Sequence, residues 1–169
     1  MRIGHGYDIH IFAEDRPLYI GGIKIRDNNG LLGHSDADVL IHAIMDSLLG
    51  AAGLRDIGYY FPDTDIKYKG VDSKVLLKEV MRMISDEGFK IVNIDATVVM
   101  EKPKLKDYIM PIREKLAEVM GISLSSINVK ATTNEKQDAV GEGKAVEVFS
   151  VALICLLYTS DAADDSLRV

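Results

Sequence analysis

The chain has 169 residues, 47% of them hydrophobic, with a formal net charge of −6 and a pI near 5.2. That length and apolar share suit one domain with a real core, and the acidic balance excludes a broad cationic surface for nucleic acid, although local Lys clusters remain. The single cysteine, Cys155, excludes an intrachain disulfide and favours a reducing compartment; with no signal-like opening and no run near the roughly 20 apolar residues of a membrane helix, the expectation is a cytoplasmic protein without a membrane partner.

Residues 3–12 read as a first strand, weakened by Gly4-His5-Gly6. Asp8 and His10 lie two apart in it, so extended backbone sends both side chains to one face. Residues 18–25 read as a hairpin turning at Gly21-Gly22. A first helix follows. Ser35 is its expected cap, with Asp38 three residues on, like a capping box with Asp in place of Glu. Ile41, Ile44, Met45, Leu48 and Leu49 recur at helical spacing, and Gly53 suits the end. His42 sits on this helix one turn from both Asp38 and Asp46; either carboxylate could orient the imidazole, or both could be solvated acids.

Residues 54–71 carry no periodic pattern and read as an irregular loop, of a length that often has a function. A second helix spans 72–87, with Val75, Leu76, Val80, Met81 and Ile84 on its buried face and Gly88 ending it. Residues 91–100 form a strand whose Val98-Val99-Met100 end reads as buried on both faces. After a basic connection, a third helix starts near Tyr108, tolerates Pro111 in its first turn and stops at Gly121. Residues 127–132 and 145–157 are further strands. This order predicts an α+β two-layer sandwich: a mixed four- to five-stranded sheet with three helices on one face. Beyond Ile154 the composition turns small and acidic. Residues 1–154 are therefore read as a single domain and residues 155–169 as a non-native or disordered tail.

Five groupings carry chemistry. Asp8, His10 and His42 offer two imidazoles and one carboxylate, a typical three-ligand zinc set with the fourth position open; a bare D-x-H is otherwise commonplace. His34-Ser35 stands at the expected helix start, where free N–H groups favour an anion, unless Ser35 is a plain cap. Thr132-Thr133-Asn134-Glu135-Lys136 follows a strand. Its hydroxyls and Lys suit phosphate oxygens, while Glu135 would need Mg²⁺ or Mn²⁺ between itself and a phosphate; ordinary turn chemistry is the alternative. Asp63 and Asp65 suit substrate hydroxyls or turn caps, and Lys104 and Lys106 suit phosphate or solvent. Taken together they describe two cations and several phosphate donors, hence a diphosphate-bearing substrate and phosphoryl transfer.

The segments Arg2-Ile3-Gly4-His5-Gly6-Tyr7-Asp8-Ile9-His10, Gly33-His34-Ser35-Asp36-Ala37-Asp38, Asp56-Ile57-Gly58, Phe61-Pro62-Asp63-Thr64-Asp65, Pro103-Lys104-Leu105 and 129–136 together resemble the 2-C-methyl-D-erythritol 2,4-cyclodiphosphate synthase family. The resemblance spans about residues 1–154. It implies a metal-dependent phosphorus–oxygen lyase of the non-mevalonate isoprenoid route, in which a 2-phosphate attacks the β-phosphorus of a cytidine diphosphate and CMP leaves. Zn²⁺ would be held by Asp8, His10 and His42, and Mg²⁺ or Mn²⁺ by Glu135. His34 and Thr133 would stabilise the transition state, and Ser35 would hold phosphate. Asp56, Ile57, Gly58, Phe61, Pro62, Asp63, Thr64 and Asp65 would line the methylerythritol and ribose region. Met100, Pro103, Lys104, Leu105, Lys106, Ala131, Thr132 and Asn134 would wrap the cytidine side. The family forms homotrimers with sites between subunits.

One segment departs from the family pattern. After Lys136 the family usually reads L-G-F-x-G-R-x-E-G, whereas this chain has Ala139 for the aromatic and Glu142 for the arginine. In the family those residues border a cavity on the trimer axis that holds an isoprenoid diphosphate. Three Glu142 carboxylates there would repel an anion, so this chain is expected not to bind prenyl diphosphates, with Glu142 and Lys144 forming a charge-reversed pair. Two competing readings are a phosphohydrolase, for which no dedicated base for water stands out, and an inactive binding protein that keeps the fold.

Overall fold

The glycines that weaken the first strand are what let a helix lie on it. In the computed structural model, which describes residues 1–157, strand β1 (Arg2–Ala13) runs beneath helix α1 (Val39–Ala52). A Cβ added to Gly4 would stand 1.9 Å from the Ser47 carbonyl oxygen, and one added to Gly6 would stand 1.9 Å from that of Ala43. The helix presents small residues along this seam, Ala43, Ser47 and Ala51, so backbone meets backbone. Twelve of the fourteen α1 residues are buried, which makes it the central helix of the core.

The hairpin forms as β2 (Leu18–Ile20) and β3 (Ile23–Arg26), paired antiparallel around Gly21-Gly22, both at positive φ. Strand β4 (Gly30–Leu31) pairs with the end of β1. Beyond α1 come the short helix α2 (Ile57–Tyr60), a 3-10 turn at Ile66–Tyr68, and helix α3 (Ser73–Asp86). Strand β5 (Phe89–Val99), helix α4 (Ile109–Met120), strand β6 (Ile127–Thr132), the short helix α5 (Asp138–Gly141) and strand β7 (Ala145–Leu156) complete the order.

The main sheet has five strands in the order β4-β1-β7-β5-β6. It is mixed: β5 and β6 run parallel, and the other neighbours are antiparallel. Helices α1, α3 and α4 pack on one face around a continuous core. The α+β class and the mixed sheet match the expectation. Among the described residues, no helix is long and apolar enough to cross a membrane.

The opposite face is uncovered over β1 and β7. Register pairs Tyr7 with Phe149 and His5 with Val151. Side chains alternate along a strand, so Ile3, Tyr7, Ile9, Ile11, Phe149 and Val151 share that face, and all are exposed, Ile3 at 71%.

Three local expectations are corrected. The first helix starts at Val39, not near Ser35, because Ala37 takes a positive φ of 58° that a helix cannot continue; its cap is Asp38, which accepts from the Ile41 N–H at 3.1 Å. On α3 the expected Leu76, Val80 and Ile84 are buried, together with Ser73 and Leu77, while Val75 is exposed and Met81 half-buried. The 54–71 segment holds two short helical turns capped by Asp56 and Asp65, too short to show a period. The last strand, expected over 145–157, forms as Ala145–Leu156, with Cys155 and Leu156 continuing β7 opposite Lys90 and Phe89. The rest of the tail expectation, from residue 158 on, lies outside the described residues.

Candidate active site and metal centre

Asp8, His10 and His42 converge. Their ligand atoms all lie within 4.8 Å of one another. The Asp8 carboxylate oxygen Oδ2 is 2.9 Å from His10 Nε2 and 3.1 Å from His42 Nδ1. β1 supplies the first two side chains from one face, and α1, pressed onto Gly4 and Gly6, delivers the third. Burial alone would push the Asp8 carboxyl up; hydrogen bonds and charge from His10 and His42 outweigh it and hold it at about 2. The same contact raises His10 against the lowering effect of burial.

The donor set suits a divalent metal, because the outward nitrogens of both rings are already engaged. His10 Nδ1 lies 2.6 Å from the Leu32 carbonyl oxygen and donates to it, leaving Nε2 for the centre. His42 Nε2 is 3.0 Å from Ser73 Oγ and 3.3 Å from Ser35 Oγ, leaving Nδ1. Ser73 in turn donates to Asp36 through its hydroxyl at 2.5 Å and its backbone N–H at 2.9 Å. Partners of this kind fix the tautomer and orientation of a ligating ring.

Here the structure corrects the sequence reading. Neither Asp38 nor Asp46 orients His42. Asp38 is fully buried and accepts from the Gly21, Gly22 and Ile41 N–H groups; burial, and then the charge of Asp36, push its carboxyl up. Asp46 accepts from the Ile57 N–H at 2.8 Å and so ties α2 to α1. The residues that do support His42, Ser73 and Asp36, are 31 and six positions away from it and share no motif spacing with it. The expected anion site at the α1 N-terminus is also absent, since the Asp38 carboxylate occupies that end. His34 and Ser35 lie instead on a bend before the helix, where Ser35 Oγ accepts from the Ala37 N–H.

A cavity of about 290 Å³ opens beside Asp8, His10 and His42. His34, Ser35, Ile57, Gly58, Phe61, Pro62 and Asp63 line it, together with Tyr68, Val71 and Leu76, which the sequence did not single out. Asp56, Thr64 and Asp65 do not line it. Asp56 caps α2 through the Tyr59 N–H, Asp65 caps the following turn through the Lys67 N–H, and the Asp65 carbonyl lies 3.1 Å from His34 Nε2.

The remaining candidates gather elsewhere. Met100, Pro103, Lys104, Leu105, Lys106, Ala131, Thr132 and Thr133 line a separate cavity of about 430 Å³ that shares no lining residue with the first. Asn134 sits beyond its rim, bonded to Gln137 and Asp138. Glu135 is exposed and lines neither cavity. Its backbone and that of Lys136 are left-handed, at φ 49° and 60°. Glu101, unmarked by the sequence, braces this turn by accepting from the Asn134 N–H at 3.0 Å. Ala139 lies in α5, and Glu142 pairs with Lys144 beside a third cavity, about 690 Å³, which Lys102 and Lys136 also line.

The model of the YgbB family matches residues 1–155. The chain is 58% identical over 154 residues to the 2-C-methyl-D-erythritol 2,4-cyclodiphosphate synthase of a Synechococcus species, covering 91% of this chain and 98% of that one. It resembles the structure of the bifunctional IspDF from Campylobacter jejuni at 41% identity and a TM-score of 0.90, covering 92% of this chain and 42% of that longer one. It also resembles the CDP complex of IspF from Plasmodium falciparum, at 36% identity and a TM-score of 0.81, with 93% and 97% covered.

Proposed function

This chain belongs to the YgbB family, and on that premise we propose that it cyclises 4-diphosphocytidyl-2-C-methyl-D-erythritol 2-phosphate to 2-C-methyl-D-erythritol 2,4-cyclodiphosphate, releasing CMP, in the non-mevalonate route to isoprenoid precursors. The observation that carries the reading is the convergence of Asp8, His10 and His42 on a pocket lined by His34 and Ser35.

In the reaction, an oxygen of the 2-phosphate bonds to the β-phosphorus. The bond from that phosphorus to the bridging oxygen breaks, its electron pair stays on the α-phosphate, and CMP departs. The attack is intramolecular, so positioning and charge neutralisation supply most of the rate. Asp8, His10 and His42 would hold Zn²⁺ and Glu135 would hold Mg²⁺ or Mn²⁺, and these ions would supply positive charge for the diphosphate. Ser35 holds a phosphate oxygen by hydrogen bonding, and His34 and Thr133 stabilise the developing charge. Asp63 and the apolar walls Ile57, Phe61 and Pro62 position the methylerythritol and shut out water. The cavity between Met100 and Thr133 takes the cytidine, a role suited by the CDP in the Plasmodium relative.

The assembly in this reading is a homotrimer whose active sites span two subunits. Two features support it. The pockets for sugar and for nucleotide share no residue within one chain, so a partner's nucleotide pocket would complete each site. The exposed apolar strip of β1 and β7 also gives a second copy a surface to bury.

The test is to incubate the purified chain with substrate, Zn²⁺ and Mg²⁺ and to quantify CMP by chromatography. Multiple turnovers in the wild type, abolished by His42→Ala in a folded protein, are expected. A folded, zinc-loaded wild type that releases no CMP would favour the binding-protein reading.

A further inference from the structure

The bend that carries His34 and Ser35 belongs to no helix or strand, yet the four successive carbonyls from Leu32 to Ser35 are all engaged. The Leu32 oxygen accepts from His10 at 2.6 Å. The His34 oxygen accepts from the Gly70 N–H at 2.8 Å. The two that remain, on Gly33 and Ser35, accept from the two terminal nitrogens of one side chain, Arg16, each at 2.8 Å. Arg16 lies half-buried in the turn before β2, and among the described residues no carboxylate pairs with it.

We infer that Arg16 is a positioning residue for the reaction proposed above: its guanidinium grips the carbonyls on either side of His34 and so sets where His34 and Ser35 stand relative to the metal centre. The inference rests on that functional reading. Three physical points carry it. A planar fork can reach two carbonyls at once, whereas an ammonium acts as a single point. A bend with no ladder of its own needs such partners to hold one conformation. The segment also has no slack on its inner side, because a Cβ added to Gly33 would stand 3.2 Å from His10 Cε1 and 2.8 Å from Ala37 Cβ. With the inner side packed against a ligand ring, the outer grip of Arg16 decides whether the bend stays seated.

The test compares wild type, Arg16→Lys, Arg16→Gln, His34→Ala and the Arg16→Gln/His34→Ala double variant. Misplacement by a fraction of an ångström to an ångström lowers kcat, so Arg16→Gln should lose roughly 10–100-fold, with KM and zinc Kd within about 3-fold of wild type. Arg16→Lys should fall nearly as far. On the His34→Ala background the Arg16→Gln change should cost clearly less than it does in the wild type, the remainder acting through Ser35. The Gly70 amide should exchange about 10-fold faster in Arg16→Gln while the α1 amides stay protected. Wild-type kcat in Arg16→Gln would overturn the inference. So would a full further loss on the His34→Ala background, or a collapse of zinc binding together with α1 protection. If wild type itself does not turn over substrate, the functional reading fails, and the Gly70 amide still decides whether the clamp exists.

Discussion

Replacing Gly6 by alanine should damage the metal centre without touching a ligand. The added Cβ would stand 1.9 Å from the Ala43 carbonyl oxygen, 2.8 Å from the Ser47 nitrogen and 2.9 Å from the Ala43 carbonyl carbon. All three atoms are backbone of α1, so no side chain can swing aside. Relief to the 3.0 Å floor that real Cβ atoms respect moves the helix about 1.1 Å off the sheet. Ala43 is the neighbour of His42, so the imidazole moves with it, away from an Asp8 contact now 3.1 Å long. Metal sites tolerate errors of only about 0.2 Å in ligand distance, and zinc affinity should fall on the order of 10–100-fold, the loss typical when ligand orientation is disturbed. Overpacking of this kind costs about 1–3 kcal/mol, or about 2–4 °C of Tm per kcal/mol for a domain of this size. Zinc competition against a chromophoric chelator and metal-free thermal unfolding read the two effects. Gly88→Ala is the control, because nothing lies within 4 Å of its added Cβ. Its φ of 77° costs about 1–2 kcal/mol and should leave zinc affinity unchanged. A Gly6→Ala protein with wild-type Tm and wild-type zinc Kd would refute the backbone-contact account of the site.

Three other outcomes are expected. Ser73→Ala removes the 3.0 Å contact that fixes His42 Nε2; zinc affinity should drop on the order of 10-fold while Ser73→Thr restores most of it, measured by the same competition. The Asp8–His10 contact should contribute most to the stability of the metal-free protein between about pH 4 and 6.5. Asp8, held at about 2, contributes on the order of 2 kcal/mol above its ordinary range, and that is lost as pH falls toward 2. His10, raised by the same contact, keeps its share below 6.5 and loses it as pH climbs through its raised value; a metal-free Tm that rises steadily from pH 6 to 9 would contradict this. Geranyl diphosphate should not raise the Tm, since Glu142 replaces the family's arginine; stabilisation by more than 2 °C would show that the charge reversal does not exclude the anion.

The sequence was most legible where one period ran long. Residues 127–132 and the buried stripe of α1 came out at their observed places, because alternation and 3.6-residue spacing repeat there. The convergence of Asp8, His10 and His42 was legible for a different reason: D-x-H on a strand is a local geometry, and only the approach of His42 needed the fold. What stayed hidden was long-range. Arg16 reaches Gly33 and Ser35 across 17 and 19 residues, and Ser73 reaches His42 across 31. No periodicity encodes such contacts. The helix start was misplaced because Ser35 and Asp38 are both good caps, and the choice fell to Gly21 and Gly22, whose N–H groups meet Asp38 from a distant hairpin. Gly4 and Gly6 looked like flaws in a strand until a helix backbone was seen to rest on them.

The most direct measurement runs the reaction in H₂¹⁸O with Zn²⁺ and Mg²⁺ and follows the products by phosphorus NMR. Intramolecular cyclisation predicts one equivalent of CMP, a cyclic diphosphate and no ¹⁸O in either product. A linear phosphate product, or ¹⁸O at phosphorus, would mean that water is the nucleophile and would contradict the cyclase account.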